Sequence, residues 1–391
     1  MQPLAMLIVG GGATGALLGS LLPSVQRANL WEKSQSAGRM SSSVSRGEAS
    51  PSMTDTGAQY FTALDSASSE ALLSLNAQGV LSRLPKGSIV GEREPYASLA
   101  SYCAPAGSAS IVSHYLSEAG KNGLVVEKGR RLASLEICGD SWLCVDESGG
   151  KTLARCVALT LPAPQLLELK GETYREVLTK CGAIDALRGV SFSSRFCLSL
   201  HFPKAFAEVF WSRLPPTACG RFIGTKDAGG NVLRYLSFET RKRLAHLPHS
   251  DLSGVFPSFV AHSSVEFGGA HEDKNSPAVE KELRLAALEA VAAWAGFSSP
   301  AELPPILESR VHRWKYSQVT SGVGGGWVRD FVCTTAPLAS SPAAFLLQGV
   351  PTAAGPSPPL IIAGDYCTGV SNFAACLRSA TEAKNLAMKI T

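Results

Sequence analysis

Three glycines close to the N-terminus have the spacing of a phosphate-binding turn. Gly10, Gly12 and Gly15 form the pattern G-x-G-x-x-G directly after an apolar run, residues 4–9, that predicts a strand. The first glycine permits a tight turn, the second lets a pyrophosphate approach the backbone, and the third lets strand and helix pack closely. The helix predicted to follow would turn its N–H groups and a partial positive charge towards the phosphates. These residues predict a dinucleotide-binding site.

An acidic residue at a suitable distance supports this prediction. Glu32 follows Gly15 by 17 positions and ends a second apolar stretch, residues 28–31. A carboxylate placed there can accept hydrogen bonds from a ribose diol. The alternative is a glycine-rich connection between a strand and a helix, with a solvated Glu32.

The composition is that of a globular chain with a moderately charged surface. Of 391 residues, 45% are hydrophobic and 17% charged, and this length predicts two domains, or roughly two to three. The net charge of +4 is too small to indicate nucleic-acid binding. No apolar run approaches the roughly 20 residues of a membrane span, and no secretory signal is predicted at the N-terminus. We therefore expect a cytoplasmic protein, or an organellar one if a transit peptide was removed.

Neither a metal site nor a disulfide framework is expected. The ten cysteines include no C-x-x-C pair and no Cys/His group with zinc spacing, which favours free thiols in a reducing compartment. The sequence also lacks the G-x-S-x-G, H-E-x-x-H and P-loop motifs. These absences fit an enzyme whose cofactor carries the reaction while the protein supplies orientation.

Hydrophobic periodicity outlines the other elements. Helices are predicted over residues 69–77 and 108–119, within 172–188, and over 278–294. Strands are predicted over residues 124–127, 131–136, 142–146, 155–161, 196–202, 234–240 and 258–266, the first of them buried. Residues 337–359 are rich in Ala, Ser and Pro and are expected to form an extended insertion or a mobile loop.

Three further segments resemble the FAD-binding pattern of the flavin amine-oxidase superfamily. Gly38-Arg39-Met40 follows the acidic residue, residues 55–61 read Asp-Thr-Gly-Ala-Gln-Tyr-Phe, and a strand ending in Gly364-Asp365 returns near the C-terminus. The resemblance implies a bound FAD, and physical reasoning agrees, because Arg39 offers a fixed fork of donors for phosphate or carbonyl oxygens.

The renalase family gives a sharper match. Its landmarks in this chain are Arg313-Trp314-Lys315-Tyr316-Ser317-Gln318-Val319-Thr320, Tyr235-Leu236-Ser237, Lys242-Arg243, Val260-Ala261-His262-Ser263-Ser264, Phe267-Gly268 and Ser371-Asn372-Phe373, spread over nearly the whole length. The resemblance implies a flavoprotein oxidase that takes a hydride from 2- or 6-dihydro isomers of NAD(P). The electrons then pass to O2, and hydrogen peroxide is released.

The fold class implied by this resemblance is α/β. A Rossmann-type FAD-binding domain is expected beside a second, mixed-sheet α+β substrate domain, with the topology of amine oxidases and p-hydroxybenzoate hydroxylase. The FAD-binding domain is expected to be discontinuous, over residues 1–64, 104–165 and 355–391. The substrate domain is expected over residues 65–103 and 166–354.

The resemblance also implies a set of site residues. The predicted FAD contacts are Gly10, Gly12, Thr14, Gly15, Glu32, Lys33, Arg39, Met40, Gln59, Tyr60, Val126, Gly364, Asp365, Ser371, Asn372 and Phe373. The candidates for the substrate pocket are Arg195, His262, Trp314 and Tyr316, and no side chain is expected to be a catalyst beyond the flavin itself. Structural alternatives stay open: His262 and the aromatic rings can be core residues, and Asn372 can cap the last helix.

Two absences weaken an amine-oxidase interpretation without excluding it. The chain has no Ser-Gly-Gly-Cys sequence of the kind through which monoamine oxidases attach FAD, so non-covalent FAD is expected. Residues 194–200 lack the lysine that some amine oxidases place on the corresponding strand, although Lys315 could be argued for that role.

Several alternatives therefore remain open at the level of the sequence. The chain could be another FAD oxidoreductase, acting on an amine or an isoprenoid-like substrate, or a flavin-binding protein used for regulation. The expected partners are a dinucleotide substrate and O2, with no nucleic acid, membrane or metal ion. The oligomeric state, monomer or dimer, is not determined by the sequence.

Overall fold

The computed structural model describes residues 2–23, 27–35, 37–46, 52–244, 252, 254–271, 276–323 and 342–390. The strands are β1 Leu4–Val9, β2 Ala28–Glu32, β3 Ser42–Val44, β4 Met53–Asp55, β5 Phe61–Thr62, β6 Ser82–Arg83, β7 Ile89–Val90, β8 Ser101–Cys103, β9 Val125–Lys128, β10 Leu132–Cys138, β11 Ser141–Asp146, β12 Lys151–Leu159, β13 Ser191–Phe192, β14 Arg195–His201, β15 Gly220–Phe222, β16 Leu233–Phe238, β17 Ser258–Ser263, β18 Glu308–Trp314, β19 Val319–Ser321, β20 Ala344–Leu347, β21 Pro351–Thr352, β22 Gly355–Pro356 and β23 Leu360–Ala363. The α-helices are α1 Ala13–Leu21, α2 Ser66–Ala77, α3 Ala109–Lys121, α4 Ala163–Glu168, α5 Glu172–Lys180, α6 Ala183–Arg188, α7 Ala207–Arg213, α8 Glu239–Leu244, α9 Val265–Ala270, α10 Pro277–Trp294, α11 Asp365–Thr368 and α12 Phe373–Ala387.

The chain divides into two compact units, of which the first comprises Met1–Gly38, Val112–Phe192 and Gln318–Thr391. Its eight-stranded sheet has the order β10-β11-β12-β1-β2-β9, and β23 and β20 extend it from β12. β1 is parallel to β12 and β2, and β2 is parallel to β9. Because parallel neighbours end on the same side of a sheet, the carboxyl ends of β1 and β2 lie next to each other, which is where a Rossmann-type fold binds its ligand.

The apolar runs of the parallel strands form the core of this unit. Successive residues of β1, Leu7 and Ile8, are both 0% exposed, as are Leu360 and Ile361 of β23. Neighbouring residues of a strand point to opposite faces, so both faces of this sheet are covered. This explains why the sequence shows continuous apolar runs rather than alternation at these strands.

The second unit, Arg39–Ile111 and Ser193–Ser317, contains a six-stranded sheet of order β18-β14-β17-β16-β15-β7. Its neighbours are antiparallel except for β15 and β7, which are parallel. The register places His262 of β17 opposite Cys197 of β14 and Tyr235 of β16, and Arg195 opposite Trp314. This mixed sheet, together with α10, confirms the predicted α+β character of the second part of the fold.

Three expectations about single elements need correction. β9 lies at the edge of its sheet with Val125 54% exposed, so the prediction of a buried strand there was wrong. The strand predicted over residues 234–240 ends at Phe238, where α8 begins. In the predicted loop 337–359, residues 337–341 lie outside the described residues, but β20 pairs antiparallel with β23 and continues the sheet of the first unit.

The two units also begin and end at residues other than the expected domain boundaries. Residues 39–64 and 104–111 belong to the second unit, because β3 pairs with β4 and β5 pairs with β8 there. Residues 166–192 and 318–354 belong to the first unit, where the backbone N–H of Glu172 bonds the side chain of Glu136 in β10. Within the described residues, no helix is long and apolar enough to cross a membrane.

Candidate functional site

The turn between β1 and α1 has no space for side chains at two of its glycines, which lie against each other and against Thr160. Gly10 has φ +110°, and a Cβ atom there would lie 2.6 Å from Thr160 Oγ1. A Cβ atom on Gly15 would lie 1.9 Å from the carbonyl oxygen of Gly10. Only glycine fits at either position, so strand and helix approach each other as closely as the sequence pattern predicts.

In contrast, the structure is open beyond Gly12. A Cβ atom on Gly12 would meet nothing within 4 Å. Gly12 is also the N-cap residue of α1, and no side-chain hydrogen bond caps that helix in the part of the chain that is described. The first N–H groups of α1, at the positive end of the helix dipole, thus have no side-chain cap among the described residues and begin beside this open position. These residues fit the pyrophosphate of a dinucleotide.

Glu32 is held beside this turn by three hydrogen bonds. The backbone N–H of Gly11 donates to Oε2 at 2.7 Å, and the N–H and hydroxyl of Ser34 donate to Oε1 at 2.8 and 2.7 Å. A carboxylate has about four lone-pair positions, so acceptor capacity remains for a ribose hydroxyl. The structure thus brings Glu32 to the glycine turn, as the sequence predicts.

The other predicted cofactor residues of the N-terminal part lie around the same strands. Thr14 is buried in the first turn of α1, and Lys33 is exposed directly after β2. Val126 of β9 lies opposite Leu30 of β2 in the parallel pairing. Their contact with FAD stays a prediction.

The C-terminal segment is organised around Asp365. The hydroxyl of Ser371 donates to Asp365 Oδ2 at 2.5 Å and accepts the backbone N–H of Val319 at 2.8 Å. The side chain of Asn372 accepts the N–H of Ala375 at 2.8 Å and caps α12. Capping, the structural alternative for Asn372, is therefore what the structure contains. Gly364 directly follows β23 and is the N-cap residue of α11, and Phe373 begins α12 and is 7% exposed.

In the second unit, the Gly-Arg and Asp-Thr-Gly-Ala-Gln segments pack against each other. A Cβ atom on Gly57 would lie 2.0 Å from the carbonyl oxygen of Arg39, so only glycine fits there. The N–H of Ala58 donates to the same oxygen at 2.9 Å, and Arg39 Nη1 donates to the carbonyl of Ser317 at 3.3 Å. Met40 beside Arg39 is buried.

Four charged side chains form a buried cluster in this unit, which we call the charge cluster: Asp55, Glu239, Lys242 and Arg243. Lys242 Nζ lies 3.1 Å from Asp55 Oδ2 and 2.5 Å from Glu239 Oε1. Arg243 Nη2 lies 3.1 Å from Asp55 Oδ1 and 3.0 Å from Glu239 Oε2. The side chains of Lys242, Asp55 and Glu239 are 0% exposed. Two carboxylates and two cations alternate, so each buried charge has two partners of the opposite sign.

Neighbouring opposite charges keep Asp55 and Lys242 ionised in spite of their burial. Burial raises the pKa of Asp55, but Lys242 and Arg243, with hydrogen bonds from Ser42 and Ser108, outweigh burial and bring the pKa to about 2. Burial lowers the pKa of Lys242, but the two carboxylates outweigh it and raise the pKa above its usual value. Paired charges inside a protein are maintained in this way only when every partner is present.

Gln59 lies between the charge cluster and His262. Its Oε1 accepts a hydrogen bond from Lys242 Nζ at 3.1 Å, and its Nε2 lies 3.0 Å from His262 Nε2. Nε2 also donates to the carbonyl oxygens of Asp55 and of Gly57, the latter at 3.1 Å. Burial, with the neighbouring cations Arg195 and Lys242, lowers the pKa of His262 to about 3, so this ring is neutral near pH 7.

The ring of Tyr235 lies near the half-buried His262, and a second tyrosine ring lies beyond it. The ring of Tyr235 is 6.3 Å from that of His262 and 6.3 Å from that of Tyr60. The hydroxyl of Tyr60 donates to Glu92 Oε1 at 2.6 Å, and burial together with this carboxylate raises the pKa of Tyr60. Tyr235, buried beside them, is a neighbour of His262 that the sequence did not single out for the site.

The remaining pocket candidates lie near one end of β14 and β18. Arg195 Nη1 donates to the carbonyl of Ser263 at 3.0 Å. Trp314 Nε1 donates to the carbonyl of Thr56 at 2.7 Å, which ties this ring to the Asp-Thr-Gly-Ala-Gln segment. Tyr316 follows β18, with Lys315 Nζ 5.5 Å from its ring centroid. The charge cluster and the Trp314 ring thus both engage residues 55–59.

The charge cluster is the part of the site that the sequence did not identify as a unit. Asp55 and Lys242-Arg243 belong to segments that resemble the renalase family, but Glu239 carried no signal. Nothing in the sequence pairs two segments separated by more than 180 positions. Among the described residues, no group of His, Cys, Asp and Glu could hold a metal ion, and the described cysteines are free.

Comparisons with known proteins find similarity in sequence and in overall fold. The chain is 28% identical over 325 residues to renalase from Mus musculus, a match that covers 81% of this chain and 86% of that protein. Cyclohexylamine oxidase from Brevibacterium oxydans IH-35A has a similar structure, with a TM-score of 0.64 at 9% identity over 100% of both chains. Wild-type putrescine oxidase bound to putrescine gives a TM-score of 0.58 at 12% identity over 100% of this chain and 99% of that one.

No protein-family model matches the chain. The structural similarities, at such low identity, establish the fold, and the similarity to renalase establishes the relationship in sequence. The resemblance to the renalase family indicated by the sequence motifs is thereby confirmed, within the α/β fold that this chain shares with cyclohexylamine oxidase and putrescine oxidase.

Proposed function

We propose that this protein is an FAD-dependent oxidoreductase of the renalase type. The observation that carries the proposal is the open space at Gly12 in front of the uncapped start of α1, with Glu32 fixed beside it. Backbone N–H groups, a helix dipole and an adjacent ribose acceptor are the elements that bind the diphosphate and ribose of a dinucleotide. The relationship to renalase supports FAD as that dinucleotide.

Several residues would contribute to holding the cofactor. In the first unit, Gly10, Gly12, Thr14 and Gly15 would bind the pyrophosphate, and Glu32 the adenosine ribose. Asp365, buried and oriented by Ser371, would bind the ribityl or phosphate region. The part of Arg39, Gln59 and Tyr60 in cofactor binding is proposed from the family resemblance. Since no cysteine lies in a Ser-Gly-Gly-Cys sequence, we propose that the cofactor is held non-covalently.

The proposed reaction is oxidation of 2- or 6-dihydro isomers of NAD(P), with O2 as electron acceptor and hydrogen peroxide as product. When bound, FAD supplies the hydride acceptor and the reaction with O2. The protein needs no catalytic base, because a dihydropyridine becomes aromatic once its hydride has left. Its task is to hold the donor ring in place, because alignment of the reacting atoms can supply a large part of the reduction in the activation barrier.

The substrate-domain residues proposed for that task are Arg195, His262, Trp314 and Tyr316. Two of them offer donors of different charge: Arg195 is a cation suited to phosphate oxygens, while His262 is neutral. Trp314 and Tyr316 offer aromatic faces for a nicotinamide ring. We also propose that the substrate is a dinucleotide, that O2 is the second substrate, and that the protein acts in the cytoplasm.

Anaerobic stopped-flow spectroscopy tests this function directly. The purified protein is mixed with 2-dihydro-NAD(P), 6-dihydro-NAD(P), ordinary NADH or a primary amine, and the visible flavin absorbance is followed. Rapid bleaching by the dihydro isomers alone supports the proposal. Bleaching by the amine alone would move the protein to the amine oxidases, and a colourless protein that takes up no FAD would refute the cofactor assignment.

A further inference from the structure

The orientation of the Gln59 amide is determined by Lys242. An ammonium group has only donors, so the atom of Gln59 that lies 3.1 Å from Lys242 Nζ must be the acceptor oxygen. The other two partners of Nζ are the carboxylates of Asp55 and Glu239, at 3.1 and 2.5 Å. Three oxygens thus surround one ammonium, and the amide nitrogen of Gln59 points away from it.

Two backbone carbonyls fix the same orientation independently. The Nε2 group of Gln59 donates to the carbonyl oxygens of Asp55 and Gly57. If the amide were turned over, its oxygen would face these two carbonyl oxygens and its NH2 group would face the ammonium. Amide orientations are assigned from such networks, and here every partner requires the same assignment.

This orientation determines which nitrogen of His262 carries the proton. Gln59 Nε2 lies 3.0 Å from His262 Nε2, and an amide NH2 group donates but does not accept. The NH2 group has two protons for its three acceptors, so one proton is shared between two of them. A protonated His262 Nε2 would set its own N–H against the N–H groups of the amide, so Nε2 is the accepting nitrogen and carries no proton. A neutral imidazole then has its proton on Nδ1. The ring is half-buried, and Nδ1 lies on the edge opposite the one bonded to Gln59.

We propose that His262 is a substrate-binding residue fixed as an Nδ1–H donor, and that Lys242 of the charge cluster, acting through Gln59, is the positioning residue that holds this tautomer. The proposal rests on the proposed function and deepens it by naming the group recognised: an acceptor oxygen, the carboxamide carbonyl of a dihydronicotinamide. A protonated amine has only N–H donors and cannot pair with such a ring. The charge cluster would therefore select a carbonyl-bearing hydride donor over an alkylammonium.

The tautomer is measured first, in the unmodified protein. The full-length holoenzyme is labelled with 15N-histidine, and two-dimensional NMR spectra that connect ring protons to both nitrogens identify the protonated one. The His262→Asn variant identifies the signal among the seven histidines. A protonated Nδ1 and a bare Nε2 are expected, and a protonated Nε2 or an imidazolium at pH 7 would overturn the proposal whatever the activity.

The link to Gln59 is tested with a matched pair of variants. Gln59→Leu removes the donor to His262, while Gln78→Leu removes an exposed glutamine whose amide bonds Ser74 at 3.0 Å. We expect the His262 signal to shift towards the other tautomer or a mixture in the first variant only. An unchanged signal in Gln59→Leu would overturn the role of the charge cluster.

The contact with substrate is tested with variants at His262 itself. Asn places an amide near the position of Nδ1, whereas Gln places it near the position of Nε2. For flavin reduction by 6-dihydro-NAD, we expect His262→Asn to keep the apparent Kd within about threefold and His262→Gln to raise it about tenfold, with a smaller change in the limiting rate.

The outcomes separate this inference from the proposed function. If wild-type protein is reduced but the two variants have equal Kd values, the substrate contact is refuted while the function stands. If no dihydropyridine reduces the wild-type flavin, the substrate contact is refuted together with the function. The NMR result then still decides whether the charge cluster fixes the tautomer.

Discussion

Lys242 Nζ lies 3.1 Å from Asp55 Oδ2, and neither side chain has any exposed surface. The two residues are 187 positions apart in the sequence, so this ion pair ties the end of β4 to helix α8. Asp55 also accepts hydrogen bonds from the hydroxyl of Ser42 and the N–H of Ser108, at 2.7 and 2.8 Å. One carboxylate therefore connects β4 with β3, with α8 and with the residue that precedes α3. Losing a partner would leave a charge without compensation in a dry interior.

Replacing Lys242 should reveal this dependence. Lys242→Met keeps much of the side-chain volume but removes the cation shared by Asp55 and Glu239. We expect the free energy of unfolding to fall by about 3–5 kcal/mol, because two buried carboxylates each lose one of the two cations that they share. Denaturant unfolding followed by circular dichroism measures the change.

The matched control is Lys121→Met, which removes an exposed lysine paired with Glu118 at 2.6 Å. Exposed pairs contribute little, so its unfolding midpoint should equal that of the wild-type protein. Equal destabilisation by both substitutions would contradict a special role for the charge cluster.

Alanine substitutions at Gly12 and at Gly15 should have opposite effects on folding. Gly12→Ala places a methyl group in open space, so folding should change by less than about 1 kcal/mol, but the methyl group would occupy the path of the pyrophosphate. We expect FAD affinity to fall at least about tenfold, measured by fluorescence titration of the apoprotein. Gly15→Ala, in contrast, would place Cβ 1.9 Å from a backbone oxygen and should prevent correct folding of the turn.

A suitable control for Gly12→Ala is Gly120→Ala. Gly120 lies in α3, and its Cβ would also meet nothing within 4 Å. This variant should bind FAD like the wild-type protein. If Gly12→Ala also binds FAD normally, the pyrophosphate does not lie over Gly12.

Local patterns explain why the first unit could be predicted from the sequence. Gly10, Gly15 and Glu32 are linked by short-range geometry, and the apolar runs of β1 and β23 reflect a sheet covered on both faces. The burial of β9 was predicted wrongly because its place at the edge of the sheet is decided by the tertiary structure and not by its own residues. β20 was missed because its pairing with β23 is decided by tertiary structure.

The site in the second unit was only partly visible in the sequence. His262 and Gln59 were singled out, but their hydrogen bond connects β17 with the segment after β4. The charge cluster is even harder to predict from the sequence, because charged residues usually indicate a solvated surface. Only their complete burial in the structure shows that Asp55, Glu239 and Lys242 are interior residues.

His262 should make the protein less stable in acid. Its pKa is about 3 in the folded protein and near 6.5 when unfolded, so between these values the unfolded chain binds a proton that the folded one does not. The stability contributed by the neutral ring is complete above pH 6.5 and is lost as the pH falls towards about 3. The slope from this one group is at most about 1.4 kcal/mol per pH unit.

The measurement is the free energy of unfolding at several pH values for the wild-type protein and His262→Asn. The difference between the two should shrink as the pH falls from 6.5, because only the wild-type chain gains a proton on unfolding at this position. Asp55 acts in the same direction at lower pH, between 3.8 and about 2, and cancels in the comparison. Parallel curves for the two proteins would show that His262 is not held neutral.

The proposed non-covalent cofactor has a direct test. Precipitation of the yellow protein with acid should release all of the flavin into the supernatant, because the chain has no Ser-Gly-Gly-Cys sequence of the kind through which monoamine oxidases attach FAD. Absorbance of the supernatant and pellet, with mass spectrometry of the intact chain, measures the partition. Flavin retained by the washed pellet would contradict the proposal.

Glu32 should control FAD affinity through its charge and its shape. In Glu32→Gln, an NH2 group replaces one oxygen, and it would face either the N–H of Gly11 or the two donors of Ser34. We expect FAD to bind about 10- to 100-fold more weakly, because a charge-assisted acceptor is lost and the side chain turns away from the ribose. Glu70→Gln, an exposed position in α2, is the matched control and should leave the affinity unchanged. If Glu32→Gln binds FAD as tightly as the wild-type protein, Glu32 serves only to brace the turn through Gly11 and Ser34, and the ribose must be held elsewhere.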